Sequence, residues 1–131
     1  MTNEVPIEDH EAYCLADWLF LKGYKFTHIA NESGQRGTGN IIAMMNKKKK
    51  LGVDPGFLDY CIVLKRWSLL FIELKRQRRR LKSGKLGASP STVSPEQAEW
   101  VEILDAIDNV SAVVAYGWEH AVEIIQHFET L

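Results

Sequence analysis

Three side chains in one apolar stretch are spaced for chemistry. Asp59 precedes the run Tyr60-Cys61-Ile62-Val63-Leu64, and Glu73 and Lys75 end the run Leu69-Leu70-Phe71-Ile72-Glu73-Leu74-Lys75. Between the runs stand Lys65-Arg66-Trp67-Ser68, so the pattern is strand, turn, strand. Residues two apart on a strand share a face, which puts Glu73 and Lys75 together. An odd loop centred on Arg66 sets Asp59 opposite Glu73, and one centred on Trp67 sets it opposite Lys75. An even loop sends it to the other face. We take the odd case, in which two carboxylates and an ammonium meet at one end of a hairpin.

Such a group suits phosphodiester hydrolysis. Carboxylate oxygens are hard donors that favour Mg²⁺ or Mn²⁺. An ion there polarises a phosphate oxygen and acidifies a bound water. The lysine meets developing negative charge or orients the water. A Glu-x-Lys tripeptide is common by chance, and charges on strands also serve as edge protection. Glu73, however, follows Leu69-Leu70-Phe71-Ile72, an interior-strand sequence where an unpaired charge is expensive.

Charge distribution points the same way. The 131 residues carry a net charge of −1, which conceals polarity. Residues 47–85 hold 13 of the 16 Lys and Arg against three acids, Asp54, Asp59 and Glu73, for a net +10, and the remainder is −11. Positive potential around the acidic group fits a polyanionic partner. Its carriers are Lys47, Lys48, Lys49 and Lys50, then Arg76, Arg78, Arg79, Arg80, Lys82 and Lys85. The lysine run also reads as a solvated helix end. The second run reads as a mobile basic loop leading into Gly87-Ala88-Ser89-Pro90, and as a clamp on a nucleic-acid backbone.

The elements that must position these groups follow from periodicity. Residues 1–8 read as a loose arm. A helix is expected from Asp9 to Lys22, with Ala12, Leu15, Ala16 and Leu19 inward and Gly23 as its stop. Glu11 lies at the border of that stripe, either complementing the helix dipole at the surface or reaching the acidic group as a third carboxylate. Tyr24–Ala30 reads as a strand carrying His28, a structural histidine. Residues 31–40 form a polar, glycine-rich loop whose Arg36 either touches substrate or merely connects, and 40–51 read as a helix. Ser94-Pro95-Glu96-Gln97 is a capping box opening a helix to about Asn109. Its apolar face is Trp100, Val101, Leu104 and Ile107. Gln97 is then a box partner, or also faces the site across the sheet. Val110–Tyr116 reads as a buried strand and Trp118–His127 as a final helix. Helices interleaved with such strands imply one α/β domain over residues 1–131, a mixed central sheet with helices on both faces.

Composition, 46% hydrophobic and 25% charged, is that of a globular domain. No apolar run approaches a membrane span, and Met1-Thr2-Asn3-Glu4 is unlike a signal peptide. Cys14 and Cys61 read as free core thiols in a reducing compartment, and no zinc-ligand spacing is present.

These motifs together resemble a known family. A helix acid, Asn31-Glu32 with its glycine-rich loop, Gly56-Phe57-Leu58-Asp59, Glu73-Leu74-Lys75 and Ser94-Pro95-Glu96-Gln97 with Trp100 look like the virus-type replication-repair nuclease (VRR-NUC) domain of the PD-(D/E)xK superfamily. The resemblance runs from about Glu11 to Leu131. It implies a restriction-endonuclease-like core and a Mg²⁺- or Mn²⁺-dependent endonuclease acting on DNA, with Asp59, Glu73, Lys75, Gln97 and Glu11 as its catalytic residues. Glu11, Asp59, Glu73 and the carbonyl of Leu74 are the metal donors it implies. It further implies a homodimer, branched DNA such as four-way junctions, and the cytoplasm of a bacterium or phage-infected cell. Leu58 replaces the family's usual proline before the aspartate. The rival class is a non-catalytic nucleic-acid-binding module that uses the basic stretches alone.

Overall fold

The computed structural model describes residues 4–29, 50–54 and 56–131. Arg36, Lys47, Lys48, Lys49, the glycine-rich loop and most of the helix expected over 40–51 lie outside those residues. Lys50 is described and exposed. Among the described residues there are three helices, α1 (Glu8–Lys22), α2 (Pro95–Asp105) and α3 (Trp118–Glu129). Four strands, β1 (Lys25–His28), β2 (Tyr60–Leu64), β3 (Ser68–Lys75) and β4 (Val110–Tyr116), form one sheet in that order. β1, β2 and β3 are antiparallel neighbours, and β4 joins β3 in parallel. This is the mixed sheet expected from the sequence. No described helix is long and apolar enough to cross a membrane.

The β2–β3 register fixes the site. Leu64 pairs with Ser68 and Tyr60 with Ile72, so the connection is a three-residue loop centred on Arg66. Arg66 and Trp67 both take left-handed backbone, with φ of 65° and 64°. Even residues of the two strands face one way: Tyr60, Ile62, Leu64, Leu70, Ile72 and Leu74 pack with Leu15 and Leu19 of α1 and Ala121 and Ile125 of α3. Phe71, on the odd face, packs with Leu58, Leu104, Ala112 and Trp100 beneath α2. Glu73 and Lys75 share the parity of Phe71 and belong to the α2 side. Both faces of the sheet are therefore covered, as the element order required. Leu58, fully buried in the second cluster, fills the position before Asp59 with core volume.

Three expectations shift. Helix α2 stops at Asp105 rather than near Asn109, because Asp105 Oδ1 accepts the Ala112 N–H at 3.1 Å and Asn109 turns into the left-handed region before β4. Ile107 is consequently about half exposed instead of lining the helix face. Residues 4–8 are not a loose arm: helix α1 already includes Glu8, and the carbonyls before it are held by a side chain from the end of β3, described below. The basic segment after Lys75 is likewise not a mobile loop. Arg79 N–H donates to Ala88, Gly87 N–H to Arg79 and Leu81 N–H to Lys85, so the segment doubles back as a paired arm.

Candidate active site

Residues from four elements meet at the end of β3 where Glu73 and Lys75 lie. The capping box builds one wall. Ser94 Oγ accepts the Gln97 N–H at 3.1 Å, and Gln97 Oε1 accepts the Ser94 N–H at 3.0 Å. This fixes the Gln97 amide, whose Nε2 donates to Glu73 Oε1 at 2.8 Å. Gln97 thus does both things the sequence left open: it caps α2 and it faces the site. Lys75 Nζ lies 3.3 Å from the same Glu73 oxygen, the same-face contact expected of neighbours two apart. Asp59 Oδ2 accepts the Leu74 N–H at 2.9 Å, which turns this carboxylate toward the strand that carries its partners.

The electrostatics are those of a group short of positive charge. Glu73 is 2% exposed, and its Oε2 is buried without a hydrogen-bond partner. Burial first, then the charge of Asp59, push the Glu73 carboxyl up to about 8, against the pull of Lys75. Burial also raises Asp59, partly offset by the Leu74 N–H. A buried carboxylate oxygen without a partner is a costly exception in a folded protein. The side chains open on a cleft of about 210 Å³ lined by Asp59, Glu73, Lys75 and Gln97 together with Glu8, Asp9 and His28.

These donors fit a hard divalent ion. Mg²⁺ is commonly held by one or two carboxylates, with waters and substrate phosphates completing its shell. Asp59 and Glu73 supply the carboxylates, Leu74 lines the same cleft, and the proton these two carboxyls share is what a bound cation would replace. Among the described residues, no three His, Cys, Asp or Glu side chains close into a ready-made cage.

Glu11 is placed elsewhere. It is fully buried, its Oε1 accepts from Gln77 Nε2 at 2.9 Å and its Oε2 from the Trp118 N–H at 2.6 Å. Helix α3 begins after Gly117, which has no side chain with which to cap it, and Glu11 supplies that cap from α1. A Cβ on Gly117 would come within 2.8 Å of Glu11 Oε2, and its φ of 94° disfavours other residues as well. So Glu11 is neither a surface acid nor part of the cleft. The acids that α1 brings to the cleft are Glu8 and Asp9, neither of which the sequence assigns to the site. Glu8 lies four residues before Ala12, so the inward stripe extended back by one turn would have pointed to it. His28 also lines the cleft, stacked on Tyr60 at 4.6 Å.

The basic residues divide. Arg76 is turned inward, onto the carbonyls of Val5 and Pro6. Arg78 donates to Gly87 and Leu86, and Arg80 to Gly84, all carbonyls of the arm itself. Arg79, Lys82 and Lys85 are exposed, and their side chains engage no partner among the described residues. A larger hollow of about 510 Å³ opens between the arm and α3, but none of the acid–lysine group lines it.

No family model and no curated protein matches the chain. Among solved structures, one described as a "VRR_NUC domain protein" is similar over 98% of this chain and 92% of its own, with a TM-score of 0.69 and 23% identical residues. The fold implied by the resemblance is the fold found.

Proposed function

We propose that this chain is a divalent-metal-dependent endonuclease that hydrolyses phosphodiester bonds in DNA. The observation that carries the reading is the pair of buried carboxyls, Glu73 and Asp59, close enough to share a proton and set beside Lys75 in an open cleft, with no donor group among the described residues reaching Glu73 Oε2. A protein without use for a cation gains nothing from that arrangement. The likeness to a structure named for a nuclease domain supports it.

Asp59 and Glu73 would hold Mg²⁺ or Mn²⁺, with the Leu74 carbonyl and Glu8 near by. When bound, such an ion polarises a phosphate oxygen and lowers the pKa of a coordinated water. The chain's own groups do the rest. Gln97, fixed by its own helix cap, holds Glu73 in one rotamer. Lys75 carries its charge to the same carboxylate, where it orients an attacking water and meets the negative charge that builds on the phosphate. Arg79, Lys82 and Lys85 offer the nearby phosphates a set of unengaged cations.

Within this reading the substrate is branched DNA, such as a four-way junction, and two copies act together because each chain carries one such site for two strands. The test is a labelled panel of duplex, single strand, flap and four-way junction, each with Mg²⁺, Mn²⁺ or EDTA. Metal-dependent nicking, greatest on the junction, is the expected result. Retention of every substrate without nicking would leave a nucleic-acid-binding module.

A further inference from the structure

Helix α1 begins without a side-chain cap. Its N-cap is Ile7, and no side chain satisfies the first N–H groups. What fixes its start is a residue 70 positions away. Arg76 Nε donates to the Pro6 carbonyl at 2.9 Å and Nη2 to the Val5 carbonyl at 2.6 Å. Arg76 follows Lys75 directly, so one end of the clamp is rooted in the strand that carries Glu73. The main chain of Arg76 is held in turn: its N–H donates to Ser91 Oγ at 3.4 Å, and its carbonyl accepts from Ser89 Oγ at 2.7 Å. Ser91 Oγ then donates to Glu8 Oε1 at 3.3 Å. Arg76 therefore holds the chain just before α1 by its backbone, and Ser91 holds the carboxylate of Glu8, the first residue of the helix and one that lines the cleft.

We infer that Arg76 is a positioning residue for the cleft and not a phosphate contact: by gripping the chain just before α1 it holds Glu8 at the rim of the cleft that Asp59 and Glu73 line, and so sets the affinity for the divalent ion. The inference rests on the metal-dependent reading above. A planar guanidinium spans two adjacent carbonyls, and an ammonium does not. Glu8 lies on a first turn with no cap of its own, so its reach is only as exact as the clamp. Partners that orient a metal ligand without touching the metal change affinity by roughly 10–100-fold.

The test compares the wild-type chain with Arg76→Ala, Arg76→Lys and Glu8→Gln. Mn²⁺ alone is titrated by calorimetry. Duplex affinity is measured against salt in EDTA, and amide exchange is followed over residues 4–12. Arg76→Ala should weaken Mn²⁺ binding by about tenfold or more, with Arg76→Lys intermediate. Adding it to Glu8→Gln should cost nothing further, the duplex salt slope should not move, and residues 4–12 should exchange faster. Unchanged Mn²⁺ affinity in both arginine variants overturns the inference, as does unchanged exchange. So does a salt slope reduced by about one, the mark of a lost phosphate contact. A wild-type chain that binds no Mn²⁺ removes the metal-dependent reading itself, a result distinct from variants that bind as well as the wild type. Arg76→Lys keeps the comparison readable if Arg76→Ala fails to fold.

Discussion

The cleft and the basic arm lie next to each other in sequence and handle charge in opposite ways. In the cleft, Glu73 and Lys75 are withdrawn from water, and each is held by neighbours. In the arm, Arg78 and Arg80 spend their donors on the arm's own carbonyls, while Arg79, Lys82 and Lys85 stay in solvent. Burial makes the cleft charges strong and intolerant of loss. Exposure makes the arm charges individually weak, additive and sensitive to salt. Under the proposed function, ion binding and phosphate contact fall to separate groups, and perturbing one should leave the other measurable.

The largest expected effect breaks the cleft alone. Asp59→Ala or Lys75→Ala should lower cleavage by roughly 10³-fold or more, with duplex binding in EDTA unchanged. A variant of either kind that cuts at the wild-type rate would remove that residue from the chemistry. Next is the arm. Neutralising Arg79, Lys82 and Lys85 together should cut duplex affinity and flatten its dependence on log salt by about 2 to 3, near the full phosphate count of three contacts. Arg78→Ala with Arg80→Ala should flatten it less and loosen the arm to proteolysis. Equal slopes for the two sets would erase the division between them.

Two of the acids of α1 sharpen the contrast further. Glu11→Gln should lower the urea midpoint, by about 1–3 kcal/mol of stability, because the Trp118 N–H and Gln77 lose a charged partner. Glu8→Gln should leave the midpoint nearly alone and raise the Mg²⁺ needed for cleavage. The reverse pattern would return Glu11 to the cleft.

The smallest effect is in pH. Glu73 holds its proton more tightly folded than unfolded, since its pKa is raised to about 8 from 4.5, and Asp59 shifts in the same direction. Stability from that source is present below about pH 4.5 and drains away as pH rises to about 8. In EDTA the urea midpoint should thus sag across that window, and Mn²⁺, which favours the ionised pair, should restore it. A midpoint in EDTA that climbs through the window would contradict the arrangement.

Local rules carried most of the way from residues to geometry. Side-chain alternation and an odd loop were enough to put Asp59 on the face of Glu73 and Lys75, and the observed register, centred on Arg66, then chooses Glu73 as its opposite. The spacing Ser94-Pro95-Glu96-Gln97 announced its capping box because every partner is within four residues. What could not be read were contacts across the chain. Glu11 and Glu8 lie on the same turn with the same charge, and only the position of α3 decides that one caps a helix while the other lines the cleft. Arg76 looked like its neighbours in the basic run, and nothing local said that the carbonyls of Val5 and Pro6 would lie within its reach.

The amide of Gln97 is shared between a helix end and the buried carboxyl of Glu73. Fraying of the first turn of α2 frees that amide and with it the rotamer of Glu73. Helix ends open far more often than whole domains unfold. If the chain cleaves as proposed, cleavage should accordingly cease several degrees before its far-ultraviolet signal melts, and recover on cooling without refolding.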